Sequence, residues 1–112
     1  MKKTTALIWM PHAGHFICGS SCRFRLNTYV NGYIVSTVGE HVPASRPEHD
    51  SFEKIGCDRL YETMVFKAGR NTCECGCGLP RIDGSEVDFA GTNSAKEATA
   101  NHMRLCYKYA AV

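Results

Sequence analysis

Asn31-Gly32 stands between two β-rich runs, Arg23 to Val30 and Tyr33 to Glu40. Both residues of the pair tolerate positive φ, so a two-residue Asn-Gly connection predicts a type I′ turn, whose twist matches that of the strands it joins. The turn fixes the register: Val30 opposite Tyr33, Thr28 opposite Val35, Leu26 opposite Thr37. One face of the hairpin then carries Phe24, Leu26, Thr28, Val30, Tyr33 and Val35, a set suited to a core. The other carries Arg23, Arg25, Asn27, Tyr29, Ile34 and Ser36, a mixed face expected to be half solvated.

Other elements are placed around this hairpin. The apolar run Thr4 to Met10 predicts a short first strand, and Asp58 to Lys67 another, centred on Tyr61-Glu62-Thr63-Met64-Val65-Phe66. Residues 41–56, with their prolines, acids and histidines, predict an irregular surface loop. Residues 69–91, rich in Gly, Cys and Asp, predict mostly turns. The spacing of Ser94 and Glu97 fits a capping box and opens a helix over 94–110. Ala95, Ala98, Thr99, His102, Leu105, Cys106 and Tyr109 share one of its faces. A chain of 112 residues then forms a single domain, 1–112, of the α+β class: a small antiparallel sheet with one C-terminal helix. No apolar run approaches the ~18 residues of a membrane-spanning helix.

Seven cysteines and five histidines are many for this length. The basic start Met1-Lys2-Lys3 is followed by an apolar stretch that Pro11 and His12 cut short of the roughly 7–15 residues of a secretory core. The expected compartment is therefore cytoplasmic, where disulfides are disfavoured and an odd thiol count is no obstacle. Cys57 has no ligand-type neighbour and reads as a small buried apolar residue. Cys73-Glu74-Cys75-Gly76-Cys77-Gly78 places three thiols in five residues, with glycines that let the backbone curl around an ion. His102 and Cys106, at i and i+4, lie one above the other on a helix face. Structural zinc takes four tetrahedral ligands, typically two from a turn and two from a helix. The expectation is one zinc site drawn from Cys73, Cys75, Cys77, His102 and Cys106, pinning the helix to the cysteine loop and supplying folding energy to a small core. The bland alternative makes His102 and Cys106 ordinary core residues.

A second cluster, His12, His15, Cys18 and Cys22, leaves its reading open between a further metal site, extra ligands for the first, a thiol nucleophile with a histidine base, and a polar loop with buried thiols. Zinc-deaminase, H-E-x-x-H, phosphate-loop and nucleophile-elbow motifs are absent from the sequence. The formal charge of +2 is too small to point to nucleic acid by itself. Arg23, Arg25 and Tyr29 nevertheless share a β face of the kind that stacks and neutralises single strands.

The stretch Ala6-Leu7-Ile8-Trp9-Met10-Pro11-His12-Ala13-Gly14-His15-Phe16-Ile17-Cys18-Gly19 resembles the opening of small proteins encoded by bacteriophages and prophages. The hairpin Asn27 to Gly39, the strand Tyr61 to Phe66 and the closing His102 to Cys106 resemble them as well. The resemblance implies an accessory protein of a bacterial cytoplasm that binds a host protein or nucleoprotein machine, and it assigns no catalytic residue. The expected function is thus a non-enzymatic, zinc-stabilised binding module. The alternatives are a nucleic-acid binder using Arg23, Arg25 and Tyr29, and a small metallo- or thiol enzyme centred on His12, His15, Cys18 and Cys22.

Overall fold

The computed structural model describes residues 6–11, 22–42, 54–55 and 59–112. The chain is α+β. Among the described residues five strands, β1 (Ile8–Trp9), β2 (Cys22–Val30), β3 (Tyr33–His41), β4 (Tyr61–Thr72) and β5 (Pro80–Thr92), precede one helix, α1 (Ala95–Ala110). The strands form one sheet in the order β1-β2-β3-β4-β5, each pair of neighbours antiparallel. The β2–β3 hairpin has the register that its turn dictates, Val30 opposite Tyr33, Thr28 opposite Val35 and Leu26 opposite Thr37. Asn31 and Gly32 take φ of 48° and 82°, the left-handed region this turn requires.

The helix starts where its cap says it should. Ser94 is extended and its side chain accepts a hydrogen bond from the Glu97 amide. The Glu97 carboxylate turns instead to Thr92, accepting from its hydroxyl and tying the last strand to the first helical turn. The buried helix face, Ala98, His102, Leu105, Cys106 and Tyr109, lies on the sheet. Val30, Val35, Val65, Leu105, Cys106 and Tyr109 form the main core beneath it, flanked by Leu7, Tyr33, Ala90 and Ala110. Each fully buried Val or Leu here contributes roughly 1.5–3 kcal/mol. At the helix end, Asp88 of β5 accepts hydrogen bonds from Lys108 Nζ at 2.7 Å and Tyr109 Oη at 2.9 Å. The Lys108 bond is the largest of the effects holding Asp88 below the usual carboxylate range.

Two expectations need correction. Residues 69–91 are not mainly turns, because β4 continues to Thr72 and Pro80–Thr92 pairs with it. β5 is mostly exposed and its register shifts between Val65 and Thr72 of β4, so apolar alternation is broken, while Gly84, at φ 76°, bends with it. The second sheet face is solvated at Arg23 and Arg25, and in part at Tyr29, but is more buried than expected elsewhere. Ile34, Ser36 and Val38 are 1%, 0% and 0% exposed, and Asn27, Glu62 and Phe66 are buried beside them. The loop expected over 41–56 lies largely outside the described residues. His41, however, ends β3, and Ile55 packs against Cys22 and Val38.

Candidate metal centre

The β4–β5 hairpin runs on past the Asn31-Gly32 turn: Tyr33 is opposite Lys67, yet β4 continues to Thr72. Its end, Cys73 to Leu79, closes with the Cys73 amide donating to the Leu79 carbonyl at 2.8 Å. A second bond, Gly76 amide to Cys73 carbonyl at 3.4 Å, folds Cys73-Glu74-Cys75-Gly76 into a turn. Gly76 at φ 86° and Gly78 at φ 78° hold the left-handed conformations that reverse the chain twice in three residues.

The result gathers three sulfurs. Sγ of Cys73, Cys75 and Cys77 all lie within 4.8 Å of one another. Cys73 and Cys77 are half-buried and Cys75 is exposed. The Cys73 and Cys75 sulfurs are 3.2 Å apart and share a hydrogen bond. The Cys75 backbone amide, followed by the Cys75 thiol, lowers the Cys73 pKa. Cys75 is pushed up to about 11, chiefly by the same tie to the Cys73 sulfur. Arg81 adds a weaker cationic pull on Cys73 and forms an exposed 3.5 Å ion pair with Glu74.

These donors suit a soft, thiophilic cation. A tetrahedral zinc with Zn–S bonds of about 2.3 Å sets sulfurs about 3.8 Å apart. The triangle reaches that by shifts on the order of 1 Å in the three side chains. Among the described residues no fourth Cys, His, Asp or Glu lies within the same distance of all three sulfurs.

The single composite site is not formed. His102 and Cys106 do not join the three thiols. Pairing of β5 with β4 carries the cysteines away from the helix. His102 is level with Thr63, and the strand from there to Thr72 puts the tip roughly 25–30 Å off at ~3.3 Å per residue. His102 is 0% exposed, with Nε2 2.8 Å from Thr28 Oγ1 and Nδ1 2.7 Å from Thr37 Oγ1. Thr37 in turn bonds Thr63 at 2.7 Å. Both ring nitrogens are thus occupied. Burial pushes the His102 pKa down to about 4, so the ring is neutral at pH 7. It satisfies a row of threonine hydroxyls that would be costly to bury unpaired. Cys106 is also 0% exposed, and burial raises its pKa to about 11. Both are core residues.

Of the second cluster, His12, His15 and Cys18 lie outside the described residues, as does Cys57. Cys22 is 3% exposed, in a small core with Val38 and Ile55. Arg23 and Arg25 are exposed on β2, while Tyr29 is half-buried opposite Ile34 and beside Ile8 of β1. Sequence reasoning missed the length of the hairpin. Its trace in the sequence is Ile82, Val87 and Phe89, apolar residues scattered through a stretch dominated by Gly, Ser and acids. No helix among the described residues is long and apolar enough to cross a membrane. The chain matches no protein-family model, no curated protein and no solved structure.

Proposed function

We propose that this chain is a small, non-enzymatic binding module that carries zinc on Cys73, Cys75 and Cys77 at the end of a projecting β-hairpin. The observation that carries this reading is the convergence of three sulfurs within 4.8 Å, on a turn built around two left-handed glycines. Three protein thiolates leave one tetrahedral position for water or for a donor from a bound macromolecule. The site is also remote from the helix, so zinc here organises the tip and not the core. The wider role, engaging a host protein or nucleoprotein machine in a bacterial cytoplasm, rests on the resemblance of the sequence to phage- and prophage-encoded proteins.

Cobalt(II) substitution tests the site. The expected result is intense visible absorption from tetrahedral thiolate coordination, bleached by one equivalent of zinc. C106S should give the same spectrum, because Cys106 belongs to the core. The triple variant C73S/C75S/C77S should give none. A spectrum that survives the triple variant places the metal elsewhere and overturns the reading.

A further inference from the structure

The tip that gathers the three sulfurs also holds two of them closer than a zinc ion needs. Cys73 and Cys75 sulfurs at 3.2 Å are inside the about 3.8 Å of a tetrahedral zinc pair. They are about 1.2 Å short of a covalent S–S bond of about 2.05 Å. Two residues along an extended strand lie about 6–7 Å apart, at the limit of what a disulfide spans. Here the turn closed by Gly76 amide and Cys73 carbonyl draws them in. Gly76 and Gly78 hold the left-handed conformations of this turn, and nothing stands within 4 Å of where a Cβ would be, so the tip is uncrowded. Cys75 is exposed, so a small oxidant reaches the pair directly.

We propose that the tip is a redox-gated metal site, in which Cys73 and Cys75 close into a disulfide by exchange with a low-molecular-weight disulfide and so release the ion. This rests on the metal-site reading above for the release, and on the turn geometry alone for the bond. The step balances. One cysteine sulfur of the pair attacks the external disulfide, forming a mixed disulfide and expelling one small thiolate. The second cysteine sulfur attacks the first, forming the Cys73–Cys75 bond and expelling the other small thiolate. Two protein thiolates have lost two electrons and the external disulfide has gained them. Cys77 alone then remains as a ligand. A single thiolate cannot hold zinc against water and buffer, so the ion leaves. Excess small thiol runs the two exchanges backwards and restores the site.

The test incubates the full chain, metal-free and zinc-loaded in separate arms, with glutathione disulfide. Intact mass and peptide mapping after alkylation read the thiols, and a chromophoric chelator reads free zinc. Expected in both arms is the loss of two hydrogens, with Cys73 linked to Cys75 and Cys77 still alkylated. The zinc arm should release its ion in step with the bond, and dithiothreitol should restore binding. C75S should stop at the mixed disulfide and release zinc about tenfold more slowly. C77S should still form the bond, which guards against a variant that fails for other reasons. Free thiols, an arrested mixed disulfide in the unmutated chain, or a bond to Cys77 instead would overturn the proposal. If the bond forms in the metal-free arm but the chain takes up no zinc at the outset, the metal reading fails and the disulfide assignment stands.

Discussion

The ring of Tyr61 on β4 lies against Gly39 on β3, occupying the space a side chain there would need. A Cβ at Gly39 would come within 2.8 Å of Cε2 and Cγ of Tyr61, and closer still to Cδ2. The contact is fixed from both sides. Phe24 meets the Tyr61 ring edge-on at 5.2 Å, and the Tyr61 hydroxyl donates to Glu40 Oε2 at 2.7 Å. Glu40 holds a positive φ of 56°, a conformation costly for a side-chain residue outside such a latch. Burial, with the neighbouring carboxylate, pushes the Tyr61 pKa up to about 12. Gly39→Ala should therefore cost roughly 2–3 kcal/mol in urea denaturation. In a Tyr61→Ala background the same change should cost little, and the double-mutant cycle measures that coupling.

Asn31 serves the turn and the helix together. Its side-chain amide donates to the Tyr109 carbonyl at 3.0 Å, which also accepts from the Val112 amide at 3.4 Å, and to the Val112 carbonyl at 2.9 Å, adding to the satisfaction of the helix's last carbonyls. Asn31→Gly keeps the turn and loses this cap, and should cost about 1 kcal/mol with faster amide exchange in the last helical turn. Asn31→Asp is as good a turn residue, but it aims a carboxylate at two carbonyl oxygens. It should cost more than the glycine variant, in the order of 1–2 kcal/mol.

His102 makes stability depend on pH. Its folded pKa of about 4 lies below the unfolded value of 6.5, so between these pH values the unfolded chain binds a proton that the folded chain does not. Its contribution is complete above pH 6.5, falls as pH drops through this window and levels off near pH 4. The loss reaches up to about 3 kcal/mol. His102→Gln can still bond Thr28 and Thr37 without titrating. Its stability curve should lack this slope, and the difference between the two curves isolates His102 from the carboxylates. Trp9, the chain's one tryptophan, stacks on the ring at 5.6 Å and 15°, so its fluorescence reads the same event.

The fold was legible where local chemistry decides it. Asn31-Gly32 fixes a turn whatever surrounds it, and Ser94 starts a helix through a bond to a residue three positions away. The helix face followed from period alone, except that Thr99 is exposed and Ala95 half-buried. The length of β4–β5 was hidden because β5 is an exposed strand with shifted register, which imposes no alternation on its residues. The burial of Ile34, Ser36 and Val38 was hidden because what covers a sheet face is decided by chain distant in sequence. For the site, the sequence marks three close thiols and supports their grouping. It misleads about His102 and Cys106, since i, i+4 spacing is the same for two ligands as for two core residues. Only the threonine row on the facing strands distinguishes the two, and that row appears once the strands are paired.

The salt dependence of nucleic-acid binding checks the Arg23, Arg25 and Tyr29 alternative separately. If that face binds single strands, affinity should fall steeply with salt, and Arg25→Ala should weaken binding and flatten the slope. The binding-module reading expects no such salt-dependent binding, as fluorescence anisotropy with a labelled oligonucleotide would register.

The central claim is that Cys73, Cys75 and Cys77 hold a metal at the hairpin tip. The most direct measurement is the metal content of protein purified without added metal, with reactive thiols counted before and after chelation. The expected result is one zinc per chain and three thiols that become reactive on chelation, mapped to Cys73, Cys75 and Cys77, while Cys106 stays unreactive until the chain unfolds. No bound metal, with all three tip thiols reactive from the start, would contradict it.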